Sequence, residues 1–272
     1  MAFAGGLFLS FLSAIAINWS YSAQHDAVAG MPALSVRRPV ETVRLLLRNG
    51  RWLLSFGVES IGWILYLAAL RLAPLSLVQG VGAAGIAALA VFSAHGHPRR
   101  LPPRQQVAVV AGMTGLFLLA VSLVNTTQAD RKPSPYAVAV WLGALVAASL
   151  VLTTARVRIA RAPALGLAAG LAFAAGDILS KLGVFGGLWA VAFLPLLVVY
   201  AFGTGVLQQA FQAGGALTTA GLATLATNAV PIASGFILFH EQLPGGWRGI
   251  LQMLGFAGLI GSAVLLARRP PE

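Results

Sequence analysis

VAVVAGMTGLFLLAVSLV (107–124) is a run of eighteen residues without a charged side chain. As a helix rising about 1.5 Å per residue it covers roughly 27 Å, close to the hydrocarbon thickness of a bilayer. Further apolar runs are Ala2–Tyr21, Trp52–Leu72, Leu75–Phe92, Tyr136–Thr153, Leu165–Phe185, Trp189–Ala213, Leu217–Phe239 and Ile250–Ala267, which makes nine. Their ends carry turn residues such as Ala73-Pro74, Pro102-Pro103, Gly186-Gly187, Gly214-Gly215 and Pro244-Gly245-Gly246. No strand pattern competes. Ala, Leu and Gly dominate, which suits closely packed helices rather than a barrel.

Composition agrees. Of 272 residues, 58% are hydrophobic and 9% are charged, against about 25% charged in an ordinary soluble domain. So little charge cannot cover a soluble surface around that much apolar side chain. The expected fold is all-α: one polytopic helical membrane domain, with about nine spans in two inverted repeats. The first repeat covers 1–126 with four spans and the second 135–268 with five. Ala2–Tyr21 has no basic leader and reads as a first span. The polar stretch 24–51 follows it, and within it ETVRLLLRNGRW (41–52) suits either a short interfacial helix or a solvated loop.

The net charge of +11, from 18 Lys and Arg against 7 Asp and Glu, follows the loops and does not call for nucleic acid. Arg37, Arg38, Arg44, Arg48, Arg51, Arg99, Arg100, Arg104, Arg156, Arg158, Arg161, Arg268 and Arg269 fall on one side of an alternating nine-span layout. Arg71, Arg131, Lys132 and Arg248 fall on the other. This bias places the N-terminus outside and the C-terminus in the cytoplasm. The Ala/Gly/Leu/Arg-rich composition points to a bacterial inner membrane. Cysteine is absent, which removes disulfides, thiolate ligands and a Cys nucleophile.

The chain repeats itself. GMTGLFLLAVSL (112–123) and GFAGLIGSAVLL (255–266) share Gly, Gly, Leu, Ala, Val and Leu in register. Each follows a loop opening on histidine, HGHPRRLPP (95–103) and HEQLPGG (240–246). One loop is strongly basic and the other is not, so the copies run in opposite senses. Inverted repeats place a site near the midplane between the halves.

YLAALRLAPLSLVQGVGAAGIAAL (66–89) followed by HGHPRRLPPRQQVAVVAGMTGLFLL (95–119) resembles the EamA-type half of the drug/metabolite transporter superfamily. AFQAGGALTTAGLATLATNAVPIASGFILFHEQLPGG (210–246) repeats the pattern, with His240-Glu241 where the family commonly has Gly-Glu. Nine spans, an outside N-terminus and NGRWLLSFGVESIGW (49–63) are similar to the NIPA-like magnesium transporter branch. That branch has Gly-Glu where this chain has Gly62-Trp63, with Glu59 about one turn away. Its Pro-Leu-Gly after the Ala-Pro turn is replaced here by Gly80-Val81-Gly82.

Ionisable groups inside spans are candidates for function, since each costs roughly 2.5–3.5 kcal/mol on insertion scales. Glu59 has no cation one turn away on its helix. It suits proton uptake during transport or attraction of a cationic substrate; a structural glutamate paired with hydroxyls is the alternative. Asp177 and Lys181 are four apart and either neutralise each other or form a polar floor for an ionic substrate. Trp63 and Tyr66 form either a cavity wall beside Glu59 or ordinary core. Gln208, Gln209, Gln212 and Asn228 bind either substrate or neighbouring helices. Arg71 and His240-Glu241 suit snorkelling at span ends. His95-Gly96-His97 suits a loop better than a metal site. Pro195 and Pro231 suggest kinks, and Gly166 with Gly170 a tight helix contact.

There is no P-loop, helical zinc motif or nucleophile elbow, so no enzyme is expected. The leading expectation is a secondary transporter of a small polar or amphiphilic metabolite. A divalent-cation carrier, as the resemblance implies, is the alternative, since magnesium needs only one or two carboxylates. A non-transporting membrane scaffold or subunit is the third. The expected partners are a small-molecule or ion substrate and the lipid bilayer, without nucleic acid or cofactor; a homodimer is left open.

Overall fold

The computed structural model describes residues 2–72, 75–94, 101–122, 133–154, 161–184, 191–238 and 245–268, leaving aside the side chains of 2, 3, 70, 71, 75–80, 82, 83, 181, 184, 193 and 236. The described residues are mostly helical, and none of them is in a strand. Nine long helices are seen among them: α1 (Ala2–Ala29), α3 (Gly50–Leu72), α4 (Leu75–Ser93), α5 (Pro103–Ser122), α6 (Pro135–Thr154), α7 (Arg161–Val184), α8 (Phe193–Ala213), α9 (Ala216–Leu238) and α10 (Trp247–Ala267). Eight are long and apolar enough to cross a membrane, and Ala84–Ser93 of α4 adds a shorter apolar stretch. The protein is a multi-span helical membrane protein.

A tenth, short helix, α2 (Pro39–Leu47), precedes α3. Proline at its start costs no intrahelical bond. Val40, Val43 and Leu47 point outward while Leu46 is buried. Of the segment 41–52, the first part therefore forms its own helix and the last residues open α3. Asn49 caps α3, its Oδ1 accepting the Trp52 N–H at 3.0 Å.

Two expectations change. The first span does not end at Tyr21: α1 runs on to Ala29, because Gln24, which reads as the start of a loop, is fully buried and hydrogen-bonded. Pro195 does not kink its helix. Ala192 is the N-cap of α8, so Pro195 sits in the first turn, where N–H groups lack intrahelical partners anyway. Pro231 does lie inside α9.

Small residues set the packing. A methyl added to Gly166 would lie 2.6 Å from the Thr219 carbonyl, and one on Gly170 2.6 Å from that of Ala223. The constant offset makes α7 and α9 parallel neighbours in near backbone contact. The Ala/Gly face of α7 also receives α6, through Ser149 Oγ donating to the Ala168 carbonyl at 2.7 Å. On α8, Tyr200 lies over Gly176, and Gly203 lies against Phe173. With α6, α8 and α9 around it, α7 is buried over most of its length, and Asp177 is an acid carried within that buried helix.

α5 and α10 cross through the duplicated segment. Gly115 and Gly258 face each other, Gly112 faces Ser262, and Gly255 faces Leu119. The numbers rise on one helix as they fall on the other, so the helices are antiparallel. Ser262 Oγ donates to the Ala108 carbonyl at 2.7 Å. The helix neighbours follow one scheme twice: α1 touches α3 and α4, and α4 touches α5; α7 touches α8 and α9, and α9 touches α10. The α5–α10 crossing joins the two groups, with α1 against α8 and α4 against α9.

Candidate functional site

α3 carries one inward stripe: Trp52, Ser55, Glu59, Gly62, Tyr66 and Ala69, spaced three and four residues apart. Gly62 brings the stripe against Ala16 and Ile17 of α1. Trp52, Ser55 and Ala69 are buried, whereas Glu59 and Tyr66 are partly accessible.

Glu59 is held from α1. Gln24 Nε2 donates to Glu59 Oε2 at 2.6 Å. Gln24 Oε1 accepts from Gln208 Nε2 of α8 at 2.7 Å, and Gln208 Oε1 accepts from the Trp52 indole N–H at 3.0 Å. Gln24 and Gln208 are both fully buried.

The second carboxylate comes from α7. Asp177 Oδ1 accepts the Tyr200 hydroxyl of α8 at 2.5 Å. Asp177 is also within electrostatic range of Tyr21 on α1 and Tyr66 on α3, and Glu59 is within range of Tyr21. Tyr200 is in turn within range of Tyr21 and Tyr66. Five partly accessible residues from four helices thus share one region: Tyr21, Glu59, Tyr66, Asp177 and Tyr200. Two acids and three phenolic oxygens in a mostly apolar bundle can replace part of the hydration of a cation or orient a polar solute.

The chain is 26% identical over 264 residues to the probable magnesium transporter NIPA9 of Arabidopsis thaliana, covering 87% of this chain and 74% of that protein. No family model matches the chain, and no solved structure matches it.

Of the residues singled out from the sequence, Glu59, Tyr66 and Asp177 come together, and Gln208 joins them through Gln24. Trp63 does not; it is 45% exposed, off the inward stripe. Asn228 turns its amide to the Thr224 carbonyl of its own helix at 2.8 Å. The partner of Asp177 seen here is Tyr200; the Lys181 side chain lies outside the described residues, as do the side chain of Arg71 and all of His95, His97, His240 and Glu241. Gln212 ties α8 to the turn after α1, donating to the carbonyls of Val28, Met31 and Pro32 and accepting the Leu34 N–H. Gln209 Nε2 is buried without a partner among the described residues.

Tyr21, Gln24, Trp52 and Tyr200 were not singled out. The signal for the α1 pair is the spacing Asn18, Tyr21, Gln24/His25 and Val28, which continues the helix period past the apolar run. Among the described residues no three His, Cys, Asp or Glu side chains converge as a metal-binding group.

Proposed function

We propose that this chain is a secondary transporter with the drug/metabolite transporter layout, carrying a divalent cation, with Mg²⁺ the first cargo to test. It moves its cargo without converting it. The observation that carries this is the pair Glu59 and Asp177, one from each group of helices, both within electrostatic range of Tyr21. Magnesium sheds water reluctantly and is usually bound through one or two carboxylates, keeping several waters. Two acids with phenolic oxygens around them suit such a partly hydrated ion. The likeness to a probable magnesium transporter over most of the chain supports the same reading.

The halves 1–126 and 135–268 are treated as inverted repeats. The twice-used neighbour scheme supports this, as do the reciprocal contacts Gly112–Ser262 and Gly255–Leu119, in which each residue's counterpart in the duplicated segment appears in the other contact. Rocking of one half against the other around the acids then gives alternating access. The arginine-rich loops are placed on the cytoplasmic side of a bacterial inner membrane.

A small zwitterionic metabolite is the second reading. Lys181 favours it, because a cation one turn from Asp177 pairs with a substrate carboxylate. Purified protein in liposomes loaded with a magnesium-sensitive dye separates the two. Entry of Mg²⁺ down its gradient, above empty liposomes, is expected. Entry of labelled zwitterions without Mg²⁺ flux would select the second reading.

A further inference from the structure

The hydrogen bonds around Glu59 form a one-way chain. An indole N–H only donates, so Trp52 requires the oxygen of the Gln208 amide. That turns the Gln208 NH₂ toward Gln24 and requires the Gln24 oxygen there. The Gln24 NH₂ is left facing Glu59, which accepts it. One fixed donor thereby sets the orientation of two buried amides and of what Glu59 meets.

The chain begins and ends on α3, at residues two helical turns apart, and passes through α8 and α1. Gln208 is its only member from the second half. Separating α8 from α1 and α3 breaks both Gln208 bonds and leaves the Gln24–Glu59 bond intact within the first half. Beyond the relay, toward the turn after α1, the same seam is closed by Gln212 on the carbonyls of Val28, Met31 and Pro32. Phe211 adds its ring against Tyr21 and His25, with centroids 6.4 and 5.9 Å away. Tyr200 and Asp177 lie on the other side of the relay, Tyr200 being eight residues before Gln208, or about 12 Å along the helix.

We propose that Gln24 and Gln208 are positioning residues of a latch that closes the α1–α8 seam at the end facing the α1–α2 turn. The latch links that closure to the carboxylate of Glu59. With it closed, Glu59 is held on Oε2 and the acids are shut off from that end. When α8 swings away, Gln24 loses its donor, and Glu59 is then held only by an amide with an unpaired oxygen. This inference rests on the alternating-access reading above.

The test uses the whole 272-residue chain, which has no cysteine. Cysteines are placed at Gly30 and Gly215, exposed positions just past α1 and α8 where an added Cβ meets nothing. Both are labelled with nitroxides, and the distance distribution is measured in lipid nanodiscs with and without Mg²⁺. Trp52→Phe removes the N–H and keeps a ring to stack on Phe56, whose centroid is 4.9 Å away. Gln24→Leu cuts the middle of the chain. Phe56→Leu removes the stacked ring and leaves every bond of the relay, which makes it the packing control. Without Mg²⁺, Trp52→Phe and Gln24→Leu should raise the long-distance population by roughly fivefold, the worth of one ordinary hydrogen bond, and Phe56→Leu should leave it unchanged. Distributions for both relay variants that superimpose on the parent would overturn the latch, as would an equal shift from Phe56→Leu. A shift in the relay variants together with no response of the parent to Mg²⁺ would uphold the latch and count against the magnesium cargo instead.

Discussion

Tyr200 donates its hydroxyl to Asp177 across 2.5 Å, joining α8 to α7. The bond fixes the acid of the second half in the region that Tyr21 and Tyr66 of the first half also occupy. A single phenol thereby ties the Asp177 carboxylate to α8.

Tyr200→Phe isolates that bond. The ring can stay over Gly176 and beside Phe173, whose centroid is 5.8 Å away. The variant should fold with a stability loss of about 1–2 kcal/mol and lower Mg²⁺ uptake. Thermal unfolding in detergent and liposome flux check this; both at parental values would show that the phenol does not position the acid.

Gly166 and Gly170 carry the α7–α9 contact. Valine at either drives Cβ into carbonyl oxygens of α9 that have no rotamer to escape to. Overpacking of this kind costs about 1–3 kcal/mol, so yield and melting temperature should fall. Gly143→Ala, on α6 with nothing near its Cβ, should change neither. Equal behaviour of the three would mean that α7 and α9 are not in backbone contact.

Orientation can be read with single cysteines. Cysteine at Gly245, an exposed residue before α10, should react with an impermeant maleimide on intact cells. Cysteine at Gly30 should react only after permeabilisation. The reverse pattern would put the arginine-rich loops outside.

Helix content and the multi-span character are legible in this sequence because lipid demands long uncharged helices, and such runs are hard to mistake. The interior is less legible, because hydropathy does not say which side of a span meets lipid. Trp63 and Tyr66 are neighbouring aromatics beside Glu59, yet one is 45% exposed and the other lies on the inward stripe within electrostatic range of Asp177. Only the stripe containing Gly62, which must face another helix to accommodate Ile17, separates them. Gln24 was hidden for a different reason. Followed by His25 and Asp26, it reads as the start of a loop, and its burial depends on a glutamine 184 residues away. Asp177 was legible as an intramembrane acid, but its tyrosine partner is on the next helix, where no sequence spacing points to it.

If Glu59 and Asp177 act on one cargo ion, as proposed, the Mg²⁺ concentration dependence of liposome uptake separates the parent from Glu59→Gln, Asp177→Asn and the double variant, with Trp63→Leu as an outward-facing control. Each single change should lower uptake at limiting Mg²⁺ by roughly tenfold, the loss of about 1.4 kcal/mol of charge-assisted binding. The double change should fall by less than the product of the two, as partners in one site do, and Trp63→Leu should match the parent. Parental uptake in both single variants would mean that the two acids do not share a cargo ion.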